Sequence, residues 1–204
     1  MHLARPINSL RKIIYKMKTA LYFGSFNPLH SGHAAIARWL LTQGGIERLV
    51  LVVSPKNPLK KRASNTSPQK RLEQTRKSAK RLSQESALAG KIIEVSDIEF
   101  TMDEPLYTIK TLRKIREAEP QNSHILLIGS DNLEIIEKWN SWEELLSEFE
   151  VWVYPRKSND VATDPSALCK KYGVKLIDAP YLDISSTIIR EMERHGKNAD
   201  SLKF

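Results

Sequence analysis

The chain has 204 residues, 41% of them apolar and 27% charged, which is enough to bury a core and too balanced for a disordered or fibrous chain. No apolar run reaches the ~18 residues of a membrane helix, and the lone Cys169 excludes an intramolecular disulfide and fits a reducing, cytoplasmic compartment. The net charge of +8 is local: residues 1–18 carry five basic side chains and no acid, residues 56–81 carry ten against Glu73 alone, and the remainder is net acidic. Such a cluster suits an anionic small molecule about as well as RNA, and a solvated helix face equally well.

Residues 1–18 lack the apolar stretch and cleavage site of a secretory signal. Met17 stands directly before the first predicted strand. Residues 1–16 are therefore expected to be a basic extension, with Met17 as an alternative start, on a single domain spanning 17–204. Thr19–Tyr22 reads as a strand, and His33, Ile36, Ala37, Leu40 and Leu41 fall at helical spacing before Gly44-Gly45. Leu49–Val53 is a continuous apolar run of the kind buried on both faces of a parallel sheet. A Pro- and Lys-rich loop follows to about Thr66, and Ser67-Pro68 then opens a basic helix running to about Ser83.

Ile92–Val95 is the next strand, Thr108 to about Glu119 a helix, and Ile125–Ile128 another apolar strand. Helical pieces are predicted around Leu133–Trp139 and Trp142–Phe149, a strand at Val151–Tyr154, a helix at Pro165–Tyr172, a strand at Val174–Ile177 and a helix at Ser185–His195. Strands separated by helices imply a single-domain α/β fold with a doubly wound parallel sheet, whose ligands bind beyond the carboxyl ends of the strands where strand order reverses. Chemistry is expected just after the strands.

After the first strand stands Phe-Gly-Ser-Phe-Asn-Pro-Leu-His-Ser-Gly-His, residues 23–33. Gly24 and Gly32 allow close backbone approach. Ser31 can cap a helix whose free N–H groups attract phosphate, with His30 and His33 beside it. Taken alone, His33 is equally a core histidine on the Ile36/Leu40 stripe, and the pair lacks the further ligands of a zinc set. The last helix opens with Ile184-Ser-Ser-Thr-Ile-Ile-Arg190. Ser185, Ser186 and Thr187 offer hydroxyls at a helix N-terminus, and Arg190 offers a two-pronged donor about one turn in; ordinary capping beside a solvated arginine is the plain alternative.

The first stretch resembles the G-x-F-x-P-x-H-x-G-H signature of the nucleotidyltransferase superfamily named for its H-x-G-H motif, which has a Rossmann-like fold. The second is similar to that superfamily's I-S-S-T-x-[IV]-R element. Glu104–Leu112, Gly129–Leu133 with Trp139, and the loop beginning Val53-Ser-Pro-Lys resemble the corresponding segments of bacterial nicotinate-nucleotide adenylyltransferases. Phe23, Ser25 and Asn27 depart from that family's usual Gly, Thr and Asp, and Pro58-Leu59-Lys60 departs from its second loop.

The resemblance implies transfer of AMP from ATP to nicotinate mononucleotide, with Mg²⁺ bridging the phosphates and a place in NAD biosynthesis. It implies catalytic roles for His30, His33 and Arg190. ATP or phosphate contacts fall to Gly24, Ser25, Phe26, Lys60, Gly129, Asp131, Ser185, Ser186 and Thr187; nicotinate-nucleotide contacts fall to Asn27, Tyr107, Thr108 and Trp139. Each has a bland counterpart: Trp139 as packing, Asp131 and Thr108 as helix caps, Lys60 as a solvated lysine. Trp142 is left to the core. Nicotinamide-mononucleotide and phosphopantetheine adenylyltransferases are the rival enzymes. An RNA-binding module is the rival of another class, disfavoured because the basic segment has no interleaved aromatics, so neither nucleic acid nor membrane is an expected partner.

Overall fold

The computed structural model describes residues 16–56, 66–156, 164–180 and 184–204. Six strands, β1 (Lys18–Gly24), β2 (Arg48–Val53), β3 (Ile92–Ser96), β4 (Ser123–Gly129), β5 (Glu150–Tyr154) and β6 (Lys175–Leu176), form one sheet. Its order is β3-β2-β1-β4-β5-β6, and every pairing is parallel. The helices are α1 (Ser31–Thr42), α2 (Pro68–Ser83), α3 (Thr108–Ala118), α4 (Ser130–Leu133), α5 (Trp142–Glu148), α6 (Pro165–Tyr172) and α7 (Ser186–Arg194). The expected doubly wound sheet is present, and its order reverses between β1 and β4.

Alternation along the strands divides the core into two layers. Ala20, Tyr22, Leu49, Leu51, Ile125, Leu127 and Trp152 face one side with Ile36 and Leu40 of α1 and Leu72 and Leu82 of α2. Leu21, Val50, Val52, Leu126, Ile128 and Val153 face the other with Ile109, Leu112 and Ile115 of α3, Leu145 of α5 and Cys169 of α6. Full burial of each such side chain contributes roughly 1.5–3 kcal/mol.

The local signals sit where the sequence places them. Ser67 Oγ accepts from Lys70 N (3.2 Å) with Pro68 in the first turn of α2. Gly173 closes α6 at φ 66°.

Three expectations need correction. The predicted helix over Leu133–Trp139 is only the four-residue α4 and a single 3₁₀ turn at Ile136–Lys138. Leu133 at the end of α4 and Ile136 at the start of that turn are both wholly buried. The last strand starts later than Val174, because the Val174 N–H is used to cap α6 by donating to Cys169 O (3.0 Å). The N-cap of α1 is His30, not Ser31, which is instead the first helical residue. The expected basic extension lies outside the described residues, apart from Lys16.

Trp152, 1% exposed on β5, has Lys175 Nζ 3.8 Å from its ring centre. Trp152→Ala is expected to cost about 3–5 kcal/mol, seen as a lower denaturant midpoint at unchanged slope; a loss below about 1 kcal/mol would show that the ring does not hold this layer together.

Candidate active site

The loop leaving β1 is built around its aromatic rings. A Cβ on Gly24 would stand 2.9 Å from the Phe26 ring, so glycine is required there. Phe26 itself has φ 39°, which turns its ring back under the loop, edge-on to Tyr22 (centroids 5.7 Å) and His33 (5.3 Å). At 2% exposed, Phe26 belongs to the core, and only its backbone is left to meet a ligand.

His30 then caps α1. Its N–H donates to His33 Nδ1 (3.2 Å), and the two rings lie 3.7 Å apart. A Cβ on Gly32 would lie 3.1 Å from the His30 ring, so this glycine makes room for it. Burial pulls the His30 pKa down to about 4, with Arg156 adding to the shift. His33 is held well below its ordinary value by burial, then by His30 and Arg156. Both imidazoles are neutral at pH 7, and the His30 Nε2 is buried with no hydrogen-bond partner among the described residues.

The start of α7 clasps this loop. Ser185 Oγ accepts from Ile188 N (3.2 Å), Ser186 Oγ donates to Pro28 O (2.9 Å), and Arg190 donates from Nη1 to Asn27 O (2.7 Å) and from Nη2 to Thr187 Oγ1 (3.0 Å). The two sequence motifs are therefore in direct contact. The Ser186 hydroxyl and part of the Arg190 fork are engaged in holding the loop, while the Ser185 hydroxyl caps α7 itself. Asn27, 7% exposed, lines neither cleft described below.

Across the reversal point, β4 ends at Gly129, where a Cβ would fall 2.4 Å from Asp131 Oδ1 and 3.2 Å from the Tyr154 ring. Asp131 pairs with Arg156 (3.3 Å). Ser130 Oγ donates to Arg156 O and accepts from Arg156 N, both at 2.9 Å. Tyr22 Oη donates to Tyr154 Oη (3.1 Å), joining β1 to β5 over the end of β4. Sequence reasoning missed Tyr22, Tyr154 and Arg156. Arg156 did carry a signal, standing two residues beyond the carboxyl end of a strand.

Two clefts open on these groups and share Tyr22 and Tyr154. The smaller is bounded by His30, Gly32, His33, Arg156 and Ile184. The larger is bounded by Gly24, Ser25, Tyr107, Thr108, Lys138 and Trp139. In the larger cleft the first turn of α3 carries no acid and no side-chain cap, leaving a positive helix end. Lys56 is paired with Glu104 (2.6 Å), whereas Lys138 has no acidic partner among the described residues. Trp142 packs edge-on to Tyr172 (5.9 Å), as expected of a core residue. Lys60 lies outside the described residues. Among the described residues no three His, Cys, Asp or Glu side chains converge on a point, and no helix is long and apolar enough to cross a membrane.

The sequence profile of the Cytidylyltransferase-like family matches residues 21–192. A Flavobacterium johnsoniae protein named "Probable nicotinate-nucleotide adenylyltransferase" is 36% identical over 186 residues, 91% of each chain. A Bacteroides fragilis protein of the same name is 37% identical over 183 residues, 90% of this chain and 85% of its own. Among solved structures, Plasmodium falciparum nicotinic acid mononucleotide adenylyltransferase complexed with NaAD shares the fold. Its TM-score is 0.70 at 21% identity, over 86% of this chain and 83% of that one.

The buried histidines make stability depend on pH. A histidine pKa lowered by folding means that the unfolded chain binds more protons between the folded value and 6.5, so stability falls as pH drops through that window. Unfolding free energy is expected to decrease from pH 7 to pH 5, by at most about 1.4 kcal/mol per pH unit for each histidine. His124, also depressed by burial, adds to this slope. Glu119, held down to about 2 chiefly by Arg48, acts only below about pH 4.5. Denaturant titrations of the wild type and His33→Asn check this; an equal pH slope in both would contradict a buried neutral His33.

Proposed function

The chain belongs to the Cytidylyltransferase-like family, among the nicotinate-nucleotide adenylyltransferases, and we propose that it transfers the adenylyl group of ATP to the 5′-phosphate of nicotinate mononucleotide, forming nicotinate adenine dinucleotide and pyrophosphate. The observation that carries this reading is the clasp of α7 on the His30 loop: Ser186 and Arg190 bind the carbonyls of Pro28 and Asn27, so both anion-binding motifs face one place at the carboxyl end of β1. The cytoplasm is the compartment that fits the lone, unpaired Cys169.

The acceptor is a phosphate monoester with a second pKa of about 6, so it is already an anionic nucleophile at neutral pH and needs no general base. The reaction needs the acceptor oxygen in line with the pyrophosphate leaving group, and donors for the charge that spreads over the α-phosphoryl oxygens. His30, His33, Arg190 and Thr187 supply such donors, together with the backbone N–H groups of Gly24–Phe26 and of Ser186 and Thr187. Lys60 is a further candidate from the loop between β2 and α2. Mg²⁺ would supply charge neutralisation as part of the ATP substrate, and His30, His33, Arg190 and Thr187 act on the phosphate oxygens. Gly129 and Asp131 would receive the adenosine ribose.

The larger cleft suits a flat anionic ring. Trp139 offers a stacking face, Tyr107 and Thr108 offer the positive start of α3, and Lys138 is a nearby cation without an acidic partner among the described residues. These features favour the acid mononucleotide over the amide.

With ATP and Mg²⁺, pyrophosphate release is expected with nicotinate mononucleotide in preference to nicotinamide mononucleotide or phosphopantetheine; preference for another acceptor would overturn the assignment of the Trp139 cleft. His33→Ala should lower turnover on the order of 10²–10³-fold with the fold retained, and a loss under tenfold would remove His33 from the charge-stabilising set. ATP binding at pH 7 should take up protons, because a triphosphate beside the neutral histidines raises their pKa values. Titration calorimetry in buffers of differing ionisation enthalpy measures this; zero uptake would leave the histidines as neutral donors only.

A further inference from the structure

Most basic side chains of the 56–81 segment that fall among the described residues are at the surface: Lys77 pairs with Glu73 (2.8 Å) and Arg76 with Asp97 (2.8 Å). Arg71 is different. It lies in the second turn of α2, only 2% exposed, and no carboxylate pairs with it among the described residues. Its Nη1 donates to Ser25 O (2.7 Å) and Ser54 O (2.9 Å), and its Nη2 donates to Pro55 O (2.8 Å). Its Nε is buried without a partner among the described residues, and burial pulls its pKa below the ordinary arginine value. Three carbonyl dipoles orient the guanidinium but do not cancel its charge, and an uncompensated buried charge is normally selected against.

The three carbonyls belong to two different loops. Ser25 lies in the loop after β1, and Ser54 and Pro55 open the basic loop after β2. The strands bring them together, since β1 and β2 end side by side with Gly24 level with Val53, and Ser54 N donates to Gly24 O (2.9 Å). Ser54 is gripped from a second side. Its hydroxyl bonds the carboxyl group of Glu99, which is 3% exposed and also accepts from Thr111 Oγ1 of α3 (2.9 Å). One buried chain of hydrogen bonds, Arg71–Ser54–Glu99–Thr111, thus runs from α2 to α3 beneath the larger cleft, where Ser25, Ser54 and Glu99 are all lining residues.

We propose that Arg71 is a positioning residue for adenylyl transfer, which locks the loop after β1 to the start of the basic loop and leaves its charge unbalanced until the phosphates of the substrate arrive. Ligand anions then supply the counter-charge that no described carboxylate provides. The proposal rests on the adenylyltransferase reading for the identity of the anion, and on the geometry above for the site of action. A lysine cannot replace the guanidinium, because one ammonium cannot reach three divergent carbonyls in that fixed fork.

The test compares the wild type with Arg71→Ala and Arg71→Lys by ATP titration calorimetry, by kcat and KM for both substrates, and by thermal unfolding. Arg71→Ala is expected to weaken ATP binding by about tenfold or more and to lower kcat on the order of 10²-fold. Millimolar methylguanidinium should restore several-fold of either loss, and methylammonium should restore none. Should Arg71→Ala not fold, Arg71→Lys carries the decision, with ATP affinity expected to fall roughly threefold or more. ATP affinity and kcat within about twofold of wild type in the folded variants, with only the melting temperature lowered, would overturn the proposal. Absence of nicotinate mononucleotide turnover by the wild type would instead overturn the functional reading, and the ATP-affinity and rescue measurements would still decide the role of Arg71.

Discussion

Parallel pairing of β1 with β2 on one side and β4 on the other is the constraint from which the site follows. Because all three strands run the same way, their carboxyl ends finish at one edge of the sheet. Because the chain winds outward in opposite directions from β1, the crossovers leave the middle of that edge uncovered. The loop of Gly24–His30 comes from the central strand itself, and the groups facing it come from β2, β4 and β5. A parallel sheet buried on both faces demands apolar strands, which the alternation of the two core layers satisfies. Polar chemistry is thereby confined to the strand ends.

What fills that edge is an unusual density of buried polar groups. Two neutral histidines lie ring against ring, two tyrosines share a hydrogen bond, a guanidinium is held by three carbonyls, and Glu99 sits in a burial that raises its pKa. Each lacks some of the solvation it would have in water, and in a low-dielectric setting such groups are expensive when unpaired. They are oriented by their neighbours before any ligand is present, so a bound anion gains interactions without reorganising the protein. This is the physical sense in which a phosphoryl-transfer site can work by placement of charge.

The clasp between α7 and the first loop shows how one group can serve fold and site together. Arg190 is read from the sequence as a phosphate donor, yet in the structure one arm of its fork holds Asn27 O and another meets Thr187. Ser186, read as a phosphate hydroxyl, holds Pro28 O. These bonds bring the loop after β1 and the start of α7 together.

Much of this was legible in the order of residues. Hydrophobic runs marked the strands, Ser67-Pro68 and Gly173 marked helix ends, and the two motifs pointed to the loop after β1 and the start of α7, because these signals arise between residues a few positions apart. The structure brings those two segments into contact. The four-residue length of α4, the use of His30 in place of Ser31 as a cap, and the turning of Phe26 into the core were not legible, since packing against distant side chains decided them. The contacts of Arg71, Arg156 and the Tyr22–Tyr154 pair were not legible either. Their partners lie 46, 26 and 132 positions along the chain. An arginine on a basic helix looks the same in sequence whether it meets water or three carbonyls. The sequence alone therefore determined which elements form and which loops carry chemistry, through local periodicity and backbone preference. Only the tertiary structure decided which charges are buried and which are paired, because burial and pairing are properties of groups brought together by the sheet.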